Sequence, residues 1–510
     1  MTRRRPELRH LSLALAVLAL SAQAQDGGTG GAIRTRIGLS QSWTDNLRLS
    51  EHDKDAALIT TVTPGISITR NAGALRGSLD YSLSGVTYLK TSYGSQLQNM
   101  LSANMQAEIV PNRFSIDAQA SIGQQNASAF GLQAAPILGT QGGASPLDNP
   151  NRRETGTLNV LPVLRGQLGG IASVDLQGNF SITEVRGSAL GDSRSSGGSL
   201  SLTQLNAGVL SWFVQARTLQ TRPKVELASR SSSVVAGLNY RPDPDWWLSV
   251  NAGEERTDYM DRSAGGQNGL TGGITVDWSP TPRTRLNGNW QRHHYGDSHS
   301  LALDHRMRSS VWRYSDMRSV TLGNAGASGG VRTNYDLFFL LLASVEPDPV
   351  KRDVLVRAQL AALGLSPDAQ AATGFLSAGP SQTRSQMLSF TLQGVRANVT
   401  ANVMRTVTSR LGNNSNQGDL ANNANIEQRS YSLSGSYRLT PVSGVTVALS
   451  RQETVGDGSG RSTQLTSLTA NWNGRLGSRI SLQLGGRHSR FEGATPYTEN
   501  AAYATLTQQF

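Results

Sequence analysis

The sequence predicts an all-β protein, an antiparallel transmembrane β-barrel of about 22 strands, with roughly 18 to 22 compatible with the pattern. Three observations predict it. Segments of about ten residues with a two-residue hydrophobic period recur through nearly the whole chain. The connections between them alternate short and long. The last segment alternates as well and closes on Phe510.

The stretch Met1 to Gln25 opens with Arg3, Arg4, Arg5 and Arg9, continues through an apolar run from Leu11 to Leu20, and carries small residues at Ala22 and Ala24. This is the layout of a secretory signal peptide. Cleavage is expected after Ala24, so that residues 1–24 form the leader and 25–510 the barrel. The apolar run is shorter than the roughly 20 residues a membrane-crossing helix needs. The most apolar later window, Phe338 to Ala343, is bracketed by Asp336 and Glu346. If the chain crosses a membrane it must do so as a barrel, because only helices and closed barrels satisfy every backbone group in hydrocarbon.

The chain has no cysteine, which excludes a disulfide framework and a thiolate metal site. It is rich in glycine (54) and only 37% hydrophobic, as suits strands that are apolar on one side and polar on the other. A large soluble propeller or solenoid would share this composition, and repeat length and loop alternation separate the two. Lys and Arg number 47 against 36 Asp and Glu, a net +11. The basic residues are scattered and lack the one-face clustering with aromatics that nucleic acid requires. The partners they suit are outer-membrane lipid, the phosphates and carboxylates of lipopolysaccharide, or an acidic polysaccharide, which arginine's planar fork holds bidentately.

In chain order, Leu75, Leu79, Tyr81, Leu83 and Leu89 fall on one face, against Arg76, Asp80, Ser82 and Ser84 on the other. Phe114, Ile116, Ala118, Ala120 and Ile122 alternate with Ser115, Asp117, Gln119 and Ser121. Val174, Leu176, Phe180 and Ile182 alternate with Ser173, Asp175, Gln177 and Asn179. Leu286, Gly288 and Trp290 oppose Arg285, Asn287 and Asn289, and Ile480, Leu482 and Leu484 oppose Arg479, Ser481 and Gln483. Arg76, Arg285, Arg396, Arg479 and Arg487 share parity with the polar residues of their strands and are expected to line the lumen. Asp80, Asp117 and Asp175 are their expected ionic partners. Such a surface is either a solvated lining or a track for an anionic polymer, since charged linings set selectivity in pores. Trp246, Trp278, Trp290, Tyr81 and Phe114 stand where aromatic girdles would lie.

The links support the same plan. Long Thr44 to Ala57 precedes tight Arg70 to Ala74; Lys90 to Leu97 precedes Pro111 to Arg113; and long Gln125 to Arg152 precedes a turn near Gly169. Later tight turns are Pro242 to Asp245, Ser279 to Arg283 and Thr440 to Ser443, where Pro costs no ladder hydrogen bond. An even strand number puts both termini on the periplasmic side. One segment departs from the period. Within a long external loop insertion over 321–383, residues 335–365 predict a helical hairpin, with Asp348 as N-cap, Pro349 at the first helical position and Gly364 at the C-terminal cap. It is expected to be a decoration, a lid or a plug.

No catalytic set, metal site or cofactor is expected. His293 and His294 are adjacent, so on a strand they point to opposite faces, and His299 and His305 have no metal-building spacing. Asp258, Asp261, His293 and Asp297 fall near external strand ends as chance neighbours of a polar rim. The Gly456–Gly460 stretch joins two strands and so is a loop, not a phosphate cradle. In the final segment Ala502, Ala504, Leu506 and Phe510 share one parity and Thr505, Thr507 and Gln509 the other. It is expected to close the cylinder and to present Phe510 as a signal to the barrel-assembly machinery; Gln508 departs from the apolar residue usual at its position.

The Trp43-Thr44-Asp45-Asn46 strand end, Thr63-Pro64-Gly65-Ile66, Asp80-Tyr81-Ser82-Leu83 and Gln124-Gln125-Asn126 resemble the uncharacterised outer-membrane barrel family associated with PEP-CTERM protein sorting. The later helical insert resembles it too. The resemblance implies a Gram-negative outer membrane and association with exopolysaccharide production, and it supplies no catalytic or ligand residues. The function expected is a non-enzymatic channel for export or surface assembly of exopolysaccharide or sorted proteins, working with export-machinery partners. The alternatives are a general diffusion porin or nutrient channel, and a structural or adhesive barrel with a closed lumen. Because strands begin near Ile33, a plugged siderophore-type transporter is not expected.

Overall fold

In the computed structural model the described residues are 31–70, 73–89, 94–135, 147, 149–206, 208–260, 266–321, 375–377, 379–412, 417–458 and 460–510. The predicted leader and the predicted helical hairpin at 335–365 lie outside them.

The alternating segments form 22 antiparallel strands. They are β1 (Gly31–Thr44), β2 (Ala57–Arg70), β3 (Leu75–Leu89), β4 (Gln96–Val110), β5 (Phe114–Asn126), β6 (Arg152–Leu168), β7 (Ala172–Val185) and β8 (Ser193–Gln204). There follow β9 (Leu210–Pro223), β10 (Ser229–Asp243), β11 (Trp246–Thr257), β12 (Gln267–Thr281), β13 (Thr284–His293), β14 (Gly296–Arg306) and β15 (Ser310–Thr321). The last seven are β16 (Ser381–Gln393), β17 (Ala397–Arg410), β18 (Asn425–Thr440), β19 (Ser443–Gly456), β20 (Ser462–Arg475), β21 (Ile480–Glu492) and β22 (Tyr497–Gln509). Each pairs with its sequence neighbour, and β1 pairs with β22 from Arg36↔Gln509 to Thr44↔Ala501, so the sheet closes and has no edge. The Phe510 N–H donates to the Thr35 carbonyl at 2.9 Å just beyond that ladder.

Closure explains why these sequences alternate. On β22 the residues Tyr497, Glu499, Ala501, Tyr503, Thr505 and Thr507 are buried on the inner side, while Ala502, Leu506 and Phe510 are exposed on the outer side. Leu433, Leu449 and Leu468 sit opposite one another on β18, β19 and β20, each about half exposed (50%, 48% and 47%). In a water-soluble fold such leucines would face a core; here the apolar residues face out and Ser, Thr, Asn and Gln face in. The glycine pair in the β6–β7 turn, Gly169 and Gly170, takes φ of 56° and 70°, which a tight reversal between twisted strands demands and side chains resist.

The barrel has two unlike ends. At the turn end the outward aromatics collect: Trp246 stacks on Trp278 at 5.1 Å and Trp312 packs against Phe390 at 4.5 Å. Tyr437 and Phe510 are exposed at the same end. Trp290 is also outward and exposed, but stands higher on its strand. At the loop end stand the described parts of the long connections 45–56, 127–151 and 411–424, the last with a short helix, α1 (Asp419–Asn422). No helix among the described residues is long and apolar enough to cross a membrane, which says nothing about strands. A 14-residue strand rising about 3.3 Å per residue at a tilt of about 40° covers some 35 Å, more than the roughly 25 Å of an apolar barrel band. The surplus lies at the loop end, where outward residues turn polar: β18 changes from Tyr437, Leu433 and Tyr431 to Arg429, Glu427 and Asn425.

Candidate functional site

The lumen and its loop-end mouth are the site. Its wall is mostly hydroxyls and amides, and its charges are largely matched. Arg36 spans from β1 across Gly65 of β2 to Asp80 of β3, with contacts of 2.9 and 2.5 Å; a Cβ at Gly65 would lie 2.9 Å from the guanidinium, so only glycine leaves the path clear. Ser67 adds a hydroxyl to the same carboxylate. Arg165 meets Asp175 at 3.3 Å, Arg285 meets Asp277 at 2.8 Å, and Arg313 meets Asp304.

The residues singled out in the sequence distribute as follows. Arg76, Asp80, Asp117, Asp175, Arg285 and Arg487 stand on inner-wall positions of their strands. Arg76 lines a cavity of about 260 Å³ at the turn end together with Gln106, Glu108, Arg113, Ser115 and Arg165. Asp80 takes Arg36 as its partner, a residue the sequence reading passed over although it shares parity with Ser40 and Ser42. One oxygen of Asp117 is buried without a hydrogen-bond partner, and Leu161 stands opposite it. Arg396 and Arg479 lie just before the first residues of β17 and β21, at the turn-end rim. They share the inner parity of β17 and β21 but precede the first strand residue, where the chain is still turning, and their carbonyls accept from Arg438 N–H at 2.8 Å and Gln509 N–H at 2.9 Å.

Arg487 does something the parity rule does not contain. It is 4% exposed, pairs with Glu499 at 3.0 and 2.5 Å, and donates through Nη1 to the carbonyl of Ala135 at 2.6 Å. Ala135 belongs to the β5–β6 loop. The same loop is held by the Tyr497 hydroxyl, which donates to the Gln133 carbonyl at 2.5 Å. Leu132, Ala134, Ala135 and Leu147 pack there against Leu49, Leu465, Phe491 and Tyr497. Its first residues are tied elsewhere: the Asp419 carboxylate of α1 accepts from Ala129 N–H at 2.6 Å and from the Ser128 hydroxyl at 2.9 Å, and Phe130 packs with Phe375, Leu420 and Ile426. β18, which carries Ile426, is nine strand positions from β5 around the ring of 22, counted through β1 and β22. The loop therefore folds inward across the mouth. Its base is stiffened by Asn151, which accepts from Ser128 N–H at 2.9 Å and donates to the Ser128 and Leu132 carbonyls. On the wall at β9, Gln215 and Arg217 remain exposed to the lumen.

Burial pushes the Asp419 carboxyl above its ordinary range, outweighing the Ala129 N–H, the Ser128 hydroxyl and the Arg461 charge, which favour its ionised form. Leu49, at the far contact of the loop, is 2% exposed and holds a φ of 56°. A bulky residue in that region costs on the order of 1–3 kcal/mol and is retained only where packing over-determines it.

A second polar cluster lies on the inner wall at β11–β14. His293 and His294 do not point to opposite faces: the strand ends at His293, and the two-residue turn swings His294 to the same carboxylate. Glu255, 5% exposed, takes His293 Nδ1 at 2.7 Å, His294 N–H at 2.9 Å and His294 Nδ1 at 3.0 Å. The other ring nitrogens meet the Ser298 hydroxyl at 3.0 Å and the Thr257 hydroxyl at 3.1 Å. Hydroxyl, imidazole and carboxylate in a row is also the order of nucleophilic catalysis. Here one carboxylate carries three donors and pins the 294–295 turn to β11, a structural task that accounts for the contacts. Among the described residues no group of three His, Asp or Glu side chains is placed to hold a metal ion.

No family model matches the chain, and no curated protein matches it. Among solved structures it is similar to the FrpB iron transporter from Neisseria meningitidis (10% identity, covering 94% of this chain and 82% of that one, TM-score 0.49). It is also similar to the ferric enterobactin receptor PfeA from Pseudomonas aeruginosa (11%, 95% and 81%, TM-score 0.47) and to the siderophore receptor PirA from Acinetobacter baumannii (9%, 95% and 81%, TM-score 0.47). A likeness of that size passes neither ligand nor partner to this chain.

Proposed function

We propose that the protein is a non-enzymatic outer-membrane barrel that conducts a hydroxyl-rich polymer to the cell surface or assembles it there, the exopolysaccharide role that the PEP-CTERM-associated resemblance implies. The outward apolar band and closed ladder support the membrane setting. The observation that carries the reading is the inward-folded loop clasped by Arg487, Tyr497 and Asp419 over a lumen in which most of the charges are matched. A barrel of this strand number leaves a wide opening unless something fills it. Ser, Thr, Asn and Gln on the wall offer hydrogen bonds to sugar hydroxyls, and matched charges bind no polyanion tightly enough to stall it. A sealed structural barrel is the second reading, favoured by the full burial of the Arg487–Glu499 pair.

Planar-bilayer conductance of the purified protein, with and without residues 129–147, tests the channel. Little current from the intact chain and a large, weakly ion-selective current from the shortened one are expected. A shortened chain that still passes no current would establish the sealed barrel, and a large current from the intact chain would establish a diffusion porin. Secreted polysaccharide in a deletion strain then separates export from uptake, since unchanged secretion would end the export reading.

A further inference from the structure

We infer that the outer face of β8–β10 at the loop end is a binding site for the phosphates of an outer-leaflet glycolipid, the lipid A part of lipopolysaccharide. The inference rests on the outer-membrane reading above and names a partner of that same surface.

The register places Arg194 of β8 directly opposite Arg222 of β9, both outward, with Arg230 of β10 at the next diagonal, paired to Gln220. All three are exposed. Two like charges directly opposite on one sheet face repel. Among the described residues no carboxylate pairs with any of the three side chains, and Arg222 donates to the Gln220 side-chain carbonyl at 3.2 Å. The other side of the barrel treats its outward arginines differently. Arg405 and Arg429 share Glu427 at 2.8 and 2.7 Å, Arg384 pairs with Asp316 at 2.6 Å, and Arg490 with Glu492 at 2.9 Å. Arg194, Arg222 and Arg230 thus form a cluster of neighbouring outward guanidiniums with no carboxylate partner among the described residues.

Its height fits the headgroup. On β10 the outward residues run from Tyr240 at the turn end through Leu238, Ala236 and Val234 to Ser232 and Arg230. The ten residue steps from Tyr240 to Arg230 rise about 25 Å at a tilt of about 40°, the height of an apolar barrel band, so the guanidinium stands where acyl chains give way to phosphate. Directly below the arginines the outward side chains are small and polar: Ser196, Gly198, Thr218 and Ser232, with the Thr218 and Ser232 hydroxyls 3.2 Å apart. Low relief admits a bulky disaccharide headgroup, and guanidinium forks hold phosphate oxygens bidentately.

The test is binding of the detergent-solubilised full-length barrel to bisphosphorylated lipid A, to its dephosphorylated form and to inorganic phosphate. The triple variant R194Q/R222Q/R230Q is compared with R384Q/R405Q/R429Q, which removes the same charge from the acid-paired side. At about tenfold per arginine at most, and nearer fivefold for surface groups, the first variant should bind bisphosphorylated lipid A about 100-fold more weakly. The second should bind as the wild type does, and heat-modifiable gel mobility should be kept in both. Undiminished binding by the first variant, equal loss in both, equal binding of dephosphorylated lipid A, or full competition by inorganic phosphate would each overturn the site. If the wild-type chain fractionates with the outer membrane, such a result removes the site and leaves the location standing; fractionation elsewhere overturns both.

Discussion

Single residues explain why certain short motifs sit where they do. Asn46, fully buried, accepts from Ser50 N–H at 2.9 Å and donates to the Ser50 and Thr498 carbonyls at 2.7 and 3.0 Å. Asp45 takes Asn500 N–H at 2.7 Å, and Thr44 donates to Glu499 at 3.1 Å. The Trp-Thr-Asp-Asn strand end thus bolts the loop end of the closing seam, and through Glu499 it touches the loop clasp. Arg487→Ala leaves Glu499 buried without its charge partner, and breaking such a pair costs roughly 3–5 kcal/mol. The expected outcome is a lower unfolding temperature together with raised conductance; an apolar double replacement, R487M/E499L, should recover most of the stability but not the bond to Ala135. Asp419 adds a pH term. Its carboxyl is raised in the closed loop, so the closed form holds more protons than the open one. The clasp is therefore strongest below the ordinary carboxylate value and weakens as pH rises through the raised value. Open probability in bilayers should rise across that window in the wild type, and Asp419→Asn should flatten the rise.

At the scale of the element, each strand carries two environments along its outer face, and substitutions should report the boundary. Arginine at the middle of the lipid band of a barrel costs roughly 2–4 kcal/mol and near its border roughly 0–1. Leu433→Arg, within the apolar part of β18, should therefore lower folding stability in lipid vesicles far more than Val455→Arg, which lies near the loop end of β19 beside Glu427. Equal costs would displace the band from where Tyr431, Leu433 and Tyr437 put it. The β5–β6 loop is the other informative element. Its sequence reads only as a long link between strands, yet Phe130, Leu132 and Leu147 pack against residues hundreds of positions away. What holds it is a set of side chains on strands whose neighbours all look like ordinary wall.

At the scale of the molecule, stability is cooperative around the ring. Removing residues 497–510 would expose two unpaired edges, on β1 and β21, and take away Glu499 and Tyr497 with them. The shortened chain should fail to form a heat-modifiable species on a gel; normal assembly without it would contradict a closed cylinder.

Period-two alternation, turn chemistry and alternating link lengths are local, and they determined the barrel, its strand number, its inner and outer faces and which end carries the long loops. The parity of Arg76, Asp80, Arg285 and Arg487 was legible for the same reason, while parity alone did not show that Arg396 and Arg479 fall in the bends just before β17 and β21. Only the closed structure decided partners. Arg36 finds Asp80 two strands away, His294 swings to Glu255, Arg384, Arg405, Arg429 and Arg490 find carboxylates where Arg194, Arg222 and Arg230 do not, and Arg487 reaches the carbonyl of Ala135. These depend on register and curvature, which bring residues separated by up to hundreds of positions within hydrogen-bond distance, and no local period encodes that.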